Sequence, residues 1–422
     1  MTKKIKVLTL SDHPLSPSGV GTQTKYICEA LLNTGRYSII SLGGAIKHQN
    51  YNPSVVEPYG EDWRVFPVDG YGKPEMIRSI LRTEKPDILW FMTDPRFWGW
   101  LWMIENEVRP LTPMVYYHVW DNKPYPYFNK KYYDSNDHIV TISKVTDDIV
   151  RTVSPDVKCT YHPHSVDTDV FKPISDEEKA KIRADSLPVE DRDKLIFFWN
   201  NRNARRKQSG TLLWWFAEWL DKRDMHKKAQ LIMHTEPKDP HGQDLHAIIK
   251  QCNLEQNRQV LLSTNKISSE HLSAMYNMAD CTINISDAEG FGLSTLESLA
   301  CGTPIIVNMT GGLQEQVTDG KEWFGIPIYP SSKAIIGSQD VPYIYEDRVS
   351  KEHFHSALDK MHALGAKGRH EMGMMGRKHV VDNYNFTTFK EKWIEIFDST
   401  YTAMGSWNNR KDYNNIRFKE VA

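Results

Sequence analysis

The stretch from Asp280 to Val317 constrains the fold of this 422-residue chain more than any other. An apolar run, Cys281 to Ile285, is short enough to be a buried strand. An acidic, glycine-rich turn follows, Asp287-Ala288-Glu289-Gly290-Phe291-Gly292, and then a helical pattern from Leu293 to Ala300. A strand, a glycine loop and a helix in that order suit phosphate. The first turn of a helix leaves N–H groups unpaired at the positive end of its dipole, and glycines let the backbone approach a ligand closely. Glu297 lies four residues after Leu293, beside a stripe of Leu293, Leu296 and Ala300, and so projects towards a semi-buried space. A carboxylate there needs hydrogen-bond donors, and a diol such as ribose would supply them. Taken singly, Glu289 and Glu297 are equally compatible with glutamates that favour the N-terminal half of a helix or lie in solvent.

The rest of the chain alternates in the same way. Lys4 to Leu10 reads as a strand, Ser16 to Thr22 as a glycine loop, and the pattern through Leu32 as a helix. Strand and helix patterns then recur at Asp87–Met92, Arg96–Val108, Met114–Val119, Asp137–Ile142, Ser143–Val153 and Val157–Tyr161, which predicts a parallel doubly wound sheet. Gly19-x-Gly21 lacks the third glycine of a dinucleotide fingerprint, and no acidic residue ends the second strand at Tyr37–Leu42, so a nicotinamide enzyme is not indicated. His118 sits near the carboxyl end of its strand, where open α/β sheets place ligands. Trp98 and Trp102, four apart, bury one face of a helix, whereas Trp120, Tyr125 and Tyr127 lie in an aromatic loop whose flat faces suit an acceptor sugar. A polar connector at Ser175–Asp193 separates a second alternating half. That half runs through Lys194–Trp199, a cationic loop Asn200–Lys207, a helix Thr211–Leu220, and patterns at Ala229–His234, Gln243–Cys252, Gln259–Ser263 and Ser268–Met278.

This length suits two domains. A net charge of −2 offers no basic field for nucleic acid. The five cysteines have no pairing or zinc-ligand spacing, and no apolar run reaches 18 residues, so a soluble, cytoplasmic protein is expected, with peripheral membrane contact left open.

The two glutamates eight residues apart bracket Gly290-Phe291-Gly292, and Ala300-Cys301-Gly302-Thr303-Pro304 and Gly311-Gly312-Leu313-Gln314-Glu315 follow. The combined string resembles the E-x7-E signature and the subsequent GG-x-x-E loop of retaining GT-B glycosyltransferases of the group 1, or family 4, set. The resemblance spans nearly the whole chain and is strongest from Arg202 to Glu315. It implies an α/β GT-B fold of two Rossmann-like doubly wound domains facing a cleft: residues 1–185 on the acceptor side, 186–385 binding the nucleotide sugar, and 386–422 as a helix and tail returning to the first domain. It further implies transfer of a hexose, with retention, from a UDP- or GDP-linked donor to a hydroxyl of a glycan, lipid or other acceptor, without metal or other cofactor.

By the same resemblance, Arg202 and Lys207 match G-R-x-x-x-x-K and hold the diphosphate, while the amides of Gly290, Phe291, Gly292 and Leu293 bind phosphate or sugar. Glu297 binds ribose, Glu289 and His118 address the transferred sugar, and Gly19 and Gly21 face the donor phosphates. His164 to Pro173 is similar to N-G-V-D-x-x-x-F-x-P, with His164-Ser165 in place of Asn-Gly. That context sets aside a metal-binding reading of Asp167-x-Asp169. Asn201 stands where a glycine is usual, Met233-His234-Thr235 replaces a Gly-x-Gly, and Ser331–Arg348 reads as an insertion. Helical patterns return at Lys351–Ala363, Arg369–Asp382 and Phe386–Tyr401, and the tail from Trp407 carries no reading. A GT-B epimerase or phosphorylase, or a non-catalytic scaffold, are the alternatives.

Overall fold

The computed structural model describes residues 3–411 and Tyr413, which divide into two compact units. The first comprises the described residues up to His164, Ser338–Pro342, and those from Thr387 onward; the second comprises Ser165–Gly337 and Tyr343–Phe386. The break thus falls at His164/Ser165, against the expectation of 185/186.

The first unit is built on an eight-stranded sheet in the order β3-β4-β2-β1-β5-β6-β7-β8. Its strands are β1 (Ile5–Asp12), β2 (Tyr37–Gly44), β3 (Ser54–Val56), β4 (Gly60–Pro67), β5 (Ile88–Met92), β6 (Met114–His118), β7 (His138–Thr141) and β8 (Cys159–Tyr161). All neighbours are parallel except β3 against β4. Every residue of β5 and β6 is buried, as a parallel sheet covered on both faces requires. The helix Phe386–Met404 packs onto this unit. Trp393 is fully buried with its ring edge-on to Trp90 at 6.0 Å and to Tyr117 at 4.8 Å, and Arg36 makes two 2.8 Å bonds to Asp398.

One expectation fails here for a local reason. The predicted helix Arg96–Val108 is a 3-10 turn at Pro95–Phe97 followed by short helices at Gly99–Trp102 and Glu105–Val108. Asp94 caps the turn by accepting from the Arg96 N–H, and Pro95 opens it. The apolar spacing still buries Trp98 and Trp102, although no continuous helix carries them. The connector Ser175–Asp193 contains a helix, Asp176–Ser186. Ser175 and Glu178 close a capping box at its start, which stabilises a helix that buries none of its own residues.

The second unit has a wholly parallel six-stranded sheet in the order β11-β10-β9-β12-β13-β14. The strands are β9 (Leu195–Asn200), β10 (Ala229–His234), β11 (Val260–Ser263), β12 (Cys281–Asn284), β13 (Ile305–Asn308) and β14 (Gly325–Ile328). Its core joins Phe197 and Trp199 of β9 to Phe216 and Trp219 of the helix Ser209–Arg223 and to Phe354 of the helix Lys351–Ala363. Strand order reverses between β9 and β12, the place where open parallel sheets leave a crevice at their carboxyl ends. The insertion after β14 is an antiparallel hairpin of β15 (Ser332–Ile336) and β16 (Ile344–Arg348).

Candidate active site

The loops leaving β9 and β12 meet at that reversal. The β9 loop ends in a 3-10 turn, Arg205–Lys207, and the β12 loop runs through Asp287 and Glu289 into the helix Leu293–Ala300. Lys207 and Glu289 form an ion pair in which they are only 7% and 8% exposed, so neither charge is screened by bulk water. Arg206 Nη1 stands 3.9 Å from the same carboxylate and donates to the Ala288 carbonyl at 2.7 Å. Asn284 Nδ2 approaches it at 3.4 Å. Burial pushes the Glu289 pKa up, but Lys207 and Arg206 together outweigh burial and hold it below its ordinary value. The carboxylate is therefore ionised beside a buried ammonium.

The glycine turn and the Gly311-Gly312 loop interlock behind this pair. Gly292 has φ +92°, open to few side chains, and a Cβ there would lie 2.5 Å from Leu313. A Cβ on Gly312 would come within 2.6 Å of Phe291 Cα and 2.7 Å of the Gly290 carbonyl. The Gly312 N–H donates to the Glu289 carbonyl at 3.0 Å, and Gln316 donates to the Phe291 carbonyl at 2.7 Å. The helix Leu293–Ala300 begins without a side-chain cap, so its first N–H groups keep their affinity for an anion.

Deeper in the same region, Asn200 donates to the Tyr276 hydroxyl at 2.9 Å, which donates to Glu297 at 2.7 Å. Burial pushes the half-buried Glu297 carboxyl up to about 7 against the pull of Tyr276. Burial likewise pushes Asp287 up to about 6, opposed by a bond from Gln208 and aided by Glu346. These are carboxylates short of donors, the condition a hydroxyl-rich ligand relieves.

Lys207, Glu289, Gly290, Phe291, Gly292, Leu293 and Glu297 are thus brought together within the second unit. Arg202 is not directed at Glu289. Its guanidinium bonds Asp239 through Nε at 2.6 Å and Nη2 at 3.1 Å, and His241 at 2.8 Å. The second cation at Glu289 is Arg206, missed although it stands in the same basic run. Tyr276 and Asn200 were also missed, because neither belongs to a motif and only the fold carries them to Glu297.

In the first unit, His118 does end β6, but its side chain is fully buried, bonded to the Tyr133 hydroxyl at 2.9 Å and pushed down to about 3 by burial. It is a neutral interior group rather than a surface one. Gly19 and Gly21 lie in the first turn of the helix Gly19–Leu32 instead of a loop, and the Gly21 N–H is taken by Ser18 Oγ at 2.9 Å. Trp120 is buried against Phe128, its indole N–H donating to Asn122, while Tyr125 bonds Asp148 at 3.1 Å and Tyr127 is 57% exposed. Of the three aromatics expected to contact an acceptor, Tyr127 alone presents most of its ring to solvent.

Residues 179–356 match the sequence profile of the family described as glycosyl transferases group 1. The D-inositol 3-phosphate glycosyltransferase of Corynebacterium jeikeium is 33% identical over 169 residues, 38% of this chain and 37% of that protein. An uncharacterised glycosyltransferase of Methanocaldococcus jannaschii is 27% identical over 201 residues, 46% of this chain and 47% of that protein. The chain spans less than half the length of these curated relatives. Sucrose-phosphate synthase from Thermosynechococcus elongatus shares the fold with a TM-score of 0.74 at 17% identity, over 95% of this chain and all of that one. The Anabaena HepE protein, solved with UDP and glucose, does so with a TM-score of 0.68 at 14% identity, over 94% of this chain and all of that one. The fold is GT-B, with two Rossmann-like domains.

Proposed function

We propose, from the match of residues 179–356 to the profile of the group 1 glycosyl transferases, that the protein is a retaining hexosyltransferase whose nucleoside-diphosphate sugar binds the second unit at the reversal between β9 and β12. The observation that carries this reading is the buried Lys207–Glu289 pair beside an uncapped, glycine-led helix start. The diphosphate lies across the first-turn N–H groups of the helix Leu293–Ala300 and takes the Lys207 ammonium, with Arg206 second in line. Glu297, short of donors beside Tyr276, accepts from the ribose hydroxyls. Glu289, released from Lys207, accepts from hydroxyls of the hexose.

In the reaction the bond between the anomeric carbon and the phosphate oxygen breaks. The acceptor hydroxyl bonds that carbon from the same face, and its proton passes to the departing phosphate. Negative charge grows on the leaving oxygen, and positive groups fixed in a poorly hydrated site stabilise it most. Lys207, Arg206 and the helix start supply that charge without a divalent ion. UDP is the first nucleotide to try, since the HepE structure of the same fold holds UDP and glucose.

A panel of UDP- and GDP-sugars in a thermal-shift assay tests the reading. A true donor at 100 times its Kd adds about 2.7 kcal/mol to stability. Stabilisation by one donor, lost in both Lys207→Ala and Glu297→Ala, is expected. A panel with no stabilising member, or one whose effect survives both substitutions, would refute the site.

A further inference from the structure

The hairpin after β14 places two consecutive acids against the loops of the candidate site. Glu346, 2% exposed, accepts from Arg205 at 2.5 Å and from Arg348 at 2.7 Å. Asp347 is tied through nearly every polar atom it has. Its N–H donates to the Asp287 carbonyl at 3.0 Å, and its carbonyl accepts from Asn308 Nδ2 at 2.6 Å. Its Oδ2 accepts from Thr310 Oγ1 at 2.8 Å, and Oδ1 faces Lys333 at 3.4 Å. Arg205, Asp287 and Thr310 lie in three different loops, whereas Arg348 and Lys333 belong to the hairpin itself and Asn308 ends β13. Arg205 opens the turn that carries Lys207, Asp287 stands two residues before Glu289, and Thr310 immediately precedes Gly311-Gly312.

A hairpin that merely covered a sheet edge would have no use for a buried acid such as Glu346, which costs free energy unless fully bonded. Here the bonds with Arg205, Thr310 and the Asp287 carbonyl run outward to the strand-end loops. A pair as close as Lys207 and Glu289, seated against a loop that must pass within van der Waals contact of Gly312, tolerates little drift between loops.

We propose that Glu346 and Asp347 are positioning residues of the donor site, one inserted strand setting the register of the three loops that carry Lys207, Glu289 and Gly311-Gly312. The inference rests on the donor-site reading above. It makes the hairpin a determinant of nucleotide affinity in this chain.

Calorimetric titration of UDP, and separately of GDP, into the whole protein tests it. Glu346→Gln and Thr310→Val should each weaken the nucleotide about tenfold, the scale of one lost buried hydrogen bond. Thr310→Ser, which restores the hydroxyl, should recover the affinity of the unaltered protein to within about twofold, a rescue that general loosening of the fold would not give. Thr310→Val binding as tightly as Thr310→Ser would overturn the proposal, as would Glu346→Gln and Thr310→Val retaining full affinity while Lys207→Ala loses it. If Glu346→Gln fails to fold, the Thr310 pair decides alone, since valine and threonine are nearly isosteric. If neither nucleotide binds the unaltered protein, the donor-site reading falls and takes this inference with it.

Discussion

Glu297→Gln separates the cost of the site from its use. The carboxyl is held at about 7 against an ordinary 4.5 because burial leaves it with the Tyr276 hydroxyl as its bonding partner. An acid whose pKa rises on folding contributes most stability when it is protonated in both states, and that contribution is lost as pH rises from the unfolded value to the folded one. The window is therefore pH 4.5 to 7, with a plateau above it. At about 1.36 kcal/mol per pKa unit, the ionised carboxylate costs the folded protein on the order of 3 kcal/mol at pH 8. Glutamine removes that cost and keeps the shape, but weakens the bond from Tyr276 by about 1 kcal/mol. A net gain near 2 kcal/mol corresponds to roughly 4–8 °C for a domain of this size. Thermal melts of both proteins at half-unit intervals from pH 5 to 8 measure it. The variant should melt within about 1 °C of the unaltered protein at pH 5 and pull ahead as pH rises to 7.5, while losing the stabilisation by nucleotide sugar. A difference that stays flat across this range, or a variant less stable throughout, would refute the reasoning.

Other substitutions probe the neighbouring contacts. Lys207→Ala should cost about 3–5 kcal/mol in denaturant unfolding by stranding the Glu289 charge, and the double variant with Glu289→Gln should recover most of it. Gly312→Ala forces a methyl against Phe291 Cα and the Gly290 carbonyl, so a loss of about 1–3 kcal/mol and weaker nucleotide binding are expected; unchanged melting would mean the two loops do not interlock. Ser175→Ala removes half of the capping box and should lower stability by about 1 kcal/mol without altering nucleotide affinity, measured by melting and titration together.

The sequence made the second unit more legible than the first. From Asp280 to Glu315 the motif, the strand, the turn and the helix coincide, so local chemistry and tertiary role agree and the placement of Glu289 and Glu297 follows. Arg202 shows where motif spacing runs out. Five positions before Lys207 it has the spacing of a diphosphate cation, but Asp239 lies across the loop and takes its guanidinium, a contact 37 residues away in sequence. His118 marks a related gap. The strand end was readable, but the burial of that end beneath Tyr116 and Tyr133 depends on side chains from β6 and the helix Lys130–Asp134. β3, β4 and the helix Pro74–Glu84 drew no expectation, although Trp63 and Val65 alternate as buried residues along β4. The connector that turned out helical carried its capping box openly in Ser175 and Glu178. Its charge density hid it, because no apolar stripe accompanies the box.

The central claim is that Lys207 and the glycine-led helix start neutralise a diphosphate without a divalent ion. Titrating UDP and GDP against uridine and guanosine, with a chelator present, reads that contribution directly. For one base the diphosphate should bind at least about 100-fold more tightly than its nucleoside, and the gap should shrink to less than tenfold in Lys207→Ala. A gap that persists in Lys207→Ala, or that opens only when manganese is added, would contradict the account.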